Sequence, residues 1–100
     1  MSDTPTITYS ETETKGRYAA KIDGSDEEAE LTTSIASPTL VIADHTYVPD
    51  AFRGKGIAEA LVKQLIADAR EKGQKILPLC PFVKAYAARH RKELADVMQG

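Results

Sequence analysis

Between residues 57 and 69 the apolar side chains fall at Ile57, Ala58, Leu61, Val62, Leu65, Ile66 and Ala69. That spacing gathers them into one broad stripe of an amphipathic helix. Glu59 and Lys63 add a favourable i, i+4 pair away from the stripe. Gly73, preceded by Arg70 and Lys72, is a natural stop. The segments on either side read as strands: Leu40 to Val48, apolar and β-branched, and Lys75 to Cys80. Strand, helix and strand in this order predict a parallel pair joined by a right-handed crossover. Such a pair must be completed by further strands, and those have to come from the residues before it.

The first 48 residues are rich in Thr, Ser and β-branched types, as strands require. Arg17 to Ile22 reads as one strand. Ala29, Leu31, Thr33 and Ile35 alternate with polar residues as on a half-buried second one. Asp23-Gly24-Ser25-Asp26 supplies the turn between them, and Ser37-Pro38 supplies the next. The opening stretch to Thr14 holds either a short edge strand around Ile7 and Tyr9 or a frayed end. Leu40 to Val48 is the expected centre of the sheet. Pro78 cannot donate to a ladder, so its strand should lie at an edge or peel away from its neighbour. A gap would then open at the C-terminal ends of the parallel strands, where open α/β sheets bind ligands. Pro81 suits the first position of another helix, with Cys80 as its N-cap and Phe82, Val83, Tyr86 and Ala87 on its inner face. Arg91 to Val97 reads as helical too. The expected fold is α/β (α+β): a mixed sheet with N-terminal antiparallel strands, a β-α-β unit with splayed strands, and C-terminal helices, all in a single domain over residues 1–100.

A chain of 100 residues supports one core, so a ligand site should be a surface groove. A net charge of -2 does not suggest a nucleic-acid partner. No run approaches the length of a membrane span, and Met1 to Thr14 is polar and acidic, unlike a signal or transit peptide. One cysteine, Cys80, cannot build an internal disulfide framework. The expected location is cytoplasmic, and the expected state a monomer or weak homodimer. The two histidines and the cysteine are too far apart for a metal motif, so no metal is expected.

Arg53-Gly54-Lys55-Gly56-Ile57-Ala58 stands where the strand gives way to the helix. Free N–H groups at a helix start, with the positive end of its dipole, attract anions. Gly54 and Gly56 let backbone approach a phosphate, and Arg53 and Lys55 add charge. A plain tight loop would also use glycines. The sequence is neither a Walker loop, which ends Gly-Lys-Ser/Thr, nor the dinucleotide fingerprint with its third glycine.

The loop resembles the pyrophosphate loop of the GCN5-related N-acetyltransferases, Gln/Arg-x-x-Gly-x-Gly/Ala, with Arg53, Gly56 and Ala58 at the matching positions. The chain is similar in particular to the small YjdJ-like branch of that superfamily. Its His45-Thr46-Tyr47-Val48 and Pro78-Leu79-Cys80-Pro81-Phe82, with Tyr86 beyond, carry the likeness over roughly residues 40–90. The resemblance implies that two parallel strands splay to admit pantetheine. It implies that backbone near Tyr47 and Val48 pairs with the pantetheine amides, and that Ile57 and Ala58 with the loop hold the pyrophosphate. Phe82 and Tyr86 join the cofactor side. Acetyl-CoA is the implied co-substrate, and an amine the implied acceptor.

Acetyl transfer needs a neutral amine beside a polarised thioester carbonyl, and a way to stabilise the departing thiolate. Cys80, at a helix N-terminus, is either a buried structural residue or, as the resemblance favours, a group at the acetyl carbon, nucleophile or thiol acid. His45 is either an ordinary hydrogen-bonded histidine or a general base for the amine. Adjacent, the two could form an activated Cys–His pair. His90, among Arg89, Arg91, Lys84 and Lys92, reads as a solvated face or as a contact for the 3′-phosphate of CoA. Asp23, Asp26, Glu27, Glu28 and Glu30 make an acidic hairpin tip, solvated or a dock for a basic substrate. The expected activity is acetyl-CoA-dependent N-acetylation of a protein lysine or small amine. Its rivals are a CoA-binding module without turnover and a thiol-redox protein built on Cys80.

Overall fold

A computed structural model describes residues 5–22, 26–52, 54 and 56–99. Its elements are β1 (Thr6–Glu11), β2 (Lys15–Lys21), β3 (Ala29–Ser37), β4 (Leu40–Tyr47), α1 (Ile57–Lys72), β5 (Lys75–Pro78) and α2 (Pro81–Arg89), with a 3-10 turn at Asp50–Phe52. The five strands form one sheet in the order β1-β2-β3-β4-β5. The first four are antiparallel, and β4 and β5 are parallel around α1. The opening stretch is therefore an edge strand. The middle of the sheet is β3; β4, expected there, lies one place nearer the parallel edge. Residues 23–25 of the expected hairpin turn lie outside the described residues.

Alternation sorts the strands into two faces. Tyr18, Ala20, Ala29, Leu31, Val41, Ala43 and Ile76 point one way and are buried. They meet the α1 stripe of Leu61, Val62, Leu65, Ile66 and Ala69 in one core. A fully buried Leu61 contributes about 1.5–3 kcal/mol through this burial. Gly56 and Gly73 bound α1, both with left-handed backbone, and Gly73 is the expected C-terminal cap. The other face of the sheet is polar. On it Arg17 bridges Glu28 and Glu30 at 3.0 and 2.8 Å, which ties two members of the acidic tip to β2.

Residues 91–97 form turns rather than the expected helix. Leu94 and Val97 are buried. The Ile76 N–H donates to the Val97 carbonyl at 2.7 Å, and the Gln99 N–H donates to the Ile76 carbonyl at 2.8 Å. The chain end thus pairs with the outer edge of β5, whose unpaired backbone groups would otherwise need another partner. A continued helix would withhold those groups. Arg70 secures the segment with two bonds to Asp96 and one to the Glu93 carbonyl.

Candidate active site

The β4–β5 ladder runs only from Leu40↔Lys75 to Ala43↔Pro78. Leu79 and Cys80 then both donate their N–H groups to the Ala43 carbonyl, at 3.1 and 2.8 Å, and the chain turns into α2. β4 continues through Asp44–Tyr47 without a β5 partner. This is the fork that Pro78 foretold. Beyond it opens a groove of about 1000 Å³. Thr46, Tyr47 and Val48 line it from the end of β4 onward, Gly54, Gly56, Ile57 and Ala58 from the loop and the start of α1, and Phe82 with Arg89 from α2.

Both described glycines of the loop have left-handed backbone. Gly54 and Gly56 have φ of 78° and 73°, a region that costs an L-residue about 1–2 kcal/mol. A Cβ at either would meet nothing within 4 Å, so backbone conformation, not crowding, calls for glycine. Gly56 is the N-cap of α1 and supplies no side-chain acceptor. The first N–H groups of α1 therefore stay available at the groove. Arg53 and Lys55 lie outside the described residues.

Cys80 is the N-cap of α2, as expected, with Pro81 following. Its thiol is buried, and its Sγ lies 3.2 Å from the Thr46 hydroxyl. His45 is not beside it. Thr46 pairs with Leu31 of the buried face, whereas His45 pairs with Thr32 of the polar face. The imidazole and the thiol are on opposite sides of the sheet, and they form no activated Cys–His pair. The cause is a β-bulge between Thr32 and Thr33, where Ala43 and His45 have partners and the intervening Asp44 has none. Unbroken alternation from Val41 and Ala43 would have turned His45 toward the core. Instead Asp44 shares the polar face with His45, its carboxylate accepting from the Ser34 hydroxyl at 2.6 Å and lying 3.6 Å from Lys15 Nζ.

Tyr86 is 5% exposed and belongs to the core rather than to the groove wall. Its ring packs at 4.4 Å on His90, which in turn is 3.4 Å from Glu93. Neither His90 nor Tyr86 lines the groove. Arg89 does; the sequence names it only within the basic cluster around His90, although it stands seven residues after Phe82 and so shares its helix face. Thr46 is missed, since only its pairing with Leu31 reveals that it looks toward Cys80. Of the acidic tip, Glu27 reaches the groove.

Residues 17–97 match the family model described as GCN5-related N-acetyl-transferase. Protein NATD1 of Mus musculus is 30% identical over 70 residues, which are 70% of this chain and 64% of that protein. Protein NATD1 of Xenopus tropicalis is 31% identical over the same shares. The matched region thus spans less than two thirds of the length of these curated relatives. The solution structure of a GCN5-like candidate N-acetyltransferase from Staphylococcus aureus superposes with a TM-score of 0.67 and 28% identity, covering 100% of this chain and 92% of that one.

Proposed function

Since the chain belongs to the GCN5-related N-acetyltransferase family, we propose that it moves an acetyl group from acetyl-CoA to a primary amine. The fork carries this reading: β4 loses its parallel partner after Ala43, just where the groove with its uncapped helix start begins. The pyrophosphate belongs on the N–H groups following Gly54 and Gly56, with Arg53 and Lys55 as its counter-charges. The unpaired end of β4, at Tyr47 and Val48, offers backbone to the pantetheine amides. Phe82 provides an apolar wall for the same arm.

Transfer is direct. The acetyl thioester arrives from the groove side of the fork, and the amine from the polar face, where His45 takes its proton. The amine lone pair attacks the carbonyl carbon, the C–S bond breaks, and the departing sulfur carries the electron pair. The Thr46 hydroxyl, 3.2 Å from Cys80 Sγ and lining the groove, supplies the proton to that sulfur. Cys80 supports Thr46 instead of attacking the thioester. The separation of His45 from Cys80 favours this route, because it deprives the thiol of the imidazole as its base.

Radiolabelled acetyl-CoA with a panel of amines (a lysine peptide, spermidine, ethanolamine) tests the proposal, with acid quench and mass analysis of the protein. The expected result is label on an amine, none on Cys80, and a loss of about 10²-fold or more at neutral pH in His45→Gln. CoA binding without transfer to any amine would reduce the protein to a binding module. Acetyl found on Cys80, with transfer abolished in Cys80→Ala, would replace the direct route by a covalent one.

A further inference from the structure

Among the described residues that line the groove, one is a cation. Glu27, Asp50 and Glu59 are acids, and Arg89 is the cation. Arg89 stands in the last turn of α2, where a helix dipole favours positive charge. That explains why a cation is stable there, but not why it faces this groove. Its guanidinium makes no ion pair or hydrogen bond among the described residues, whereas Arg17 and Arg70, the described arginines of the strands and α1, are each held by carboxylates. Phe82 and Arg89, seven residues apart and so on one face of α2, line the groove together with Gly54, Gly56 and the α1 start. That face therefore offers an apolar ring near the fork and a forked donor two turns further along. A planar guanidinium with several N–H groups suits phosphate oxygens.

We propose that Arg89 is a phosphate-binding residue of the groove, gripping CoA from α2. This rests on the reading of the groove as a CoA site. The shared chemistry is a phosphate dianion or diphosphate, and CoA carries two sources, the 3′-phosphate and the pyrophosphate. Arg89 would add a second positive pole to the one at α1's N-terminus.

Calorimetric titration of the parent and of Arg89→Gln with CoA, 3′-dephospho-CoA and pantetheine tests the assignment. The position is exposed, so the variant should fold, and its melting curve checks that. In low salt Arg89→Gln should bind CoA about 10-fold more weakly, the usual order for one charge-assisted bond, with pantetheine unchanged. The difference should shrink as salt rises. If dephospho-CoA loses as much as CoA, Arg89 holds the pyrophosphate; if it loses nothing, Arg89 holds the 3′-phosphate. Unchanged CoA affinity in the variant, or an equal loss for pantetheine, overturns the assignment while leaving the groove a CoA site. Failure of the parent itself to bind CoA would overturn both.

Discussion

Replacing Gly56 with alanine isolates one property of the loop, its left-handed backbone. φ is 73° at Gly56 and 69° at Gly73, and a Cβ added at either position would have no atom within 4 Å. Steric overlap is therefore absent from both. What remains is the cost of holding an L-residue at positive φ, about 1–2 kcal/mol. For a domain of this size that corresponds to a fall of about 4–16 °C in the melting midpoint. Gly56→Ala and Gly73→Ala should thus lose stability to a similar extent. They should differ in ligand binding. Gly56 borders the groove at the first N–H groups of α1, and Gly73 caps the helix's other end. Scanning calorimetry gives the stabilities, and titration with CoA below both midpoints gives the affinities. Matched destabilisation is expected, with an affinity loss confined to Gly56→Ala. Equal affinity losses in both would mean that binding follows stability alone. A destabilisation of Gly56→Ala by less than about half of the 1 kcal/mol lower bound would refute the backbone argument.

Three further outcomes follow from the packing. A Cβ at Gly16 would meet Thr33 Oγ1 at 2.6 Å and the Tyr9 hydroxyl at 2.7 Å, so Gly16→Ala should cost about 1–3 kcal/mol in chemical denaturation by displacing the Tyr9 ring. Arg70 holds the Asp96 carboxyl below its ordinary 3.8. Because the folded value is the lower, the pair's contribution is complete above that ordinary value and disappears as pH falls through the depressed one. Acid titration of Asp96→Asn should lack this component, and retention of the full acid dependence would rule the pair out. The Tyr18 hydroxyl donates to Asp68 at 2.7 Å, and burial with the Asp68 hydrogen bond and charge pushes its ionisation well above the ordinary 10.0. Stability from the neutral phenol is thus complete below about pH 10 and declines above it, and Tyr18→Phe should show a smaller alkaline decline in melting temperature.

Much of this geometry is written in single residues. The α1 stripe, the Gly73 stop, the Cys80–Pro81 helix start and the edge position of the Pro78 strand each follow from a local rule that tertiary contacts had no reason to override. The bulge at Asp44 does not. Its trace is a change of parity, from Val41 and Ala43 facing the core to Thr46 facing Cys80, and Ile42 blurs the alternation that would have exposed it. One unseen extra residue moves His45 to the other face, and with it goes the whole notion of a Cys–His pair. The C-terminal turns are hidden for a different reason. Leu94 and Val97 have helical spacing, but the backbone demand of the β5 edge is a long-range matter that spacing does not carry. Arg89 needs the sheet as well, since only the fork gives α2 a groove to face.

The melting curve of the parent protein, with and without acetyl-CoA, bears most directly on the acetyl-CoA site. Ligand at about a hundred times its dissociation constant adds about 2.7 kcal/mol, which for this chain length is a rise of about 10 °C or more. That rise is expected with acetyl-CoA, and no comparable one with pantetheine, which lacks the phosphates. An unchanged midpoint at millimolar acetyl-CoA would contradict the reading of the fork and its glycine loop as the place where the cofactor binds.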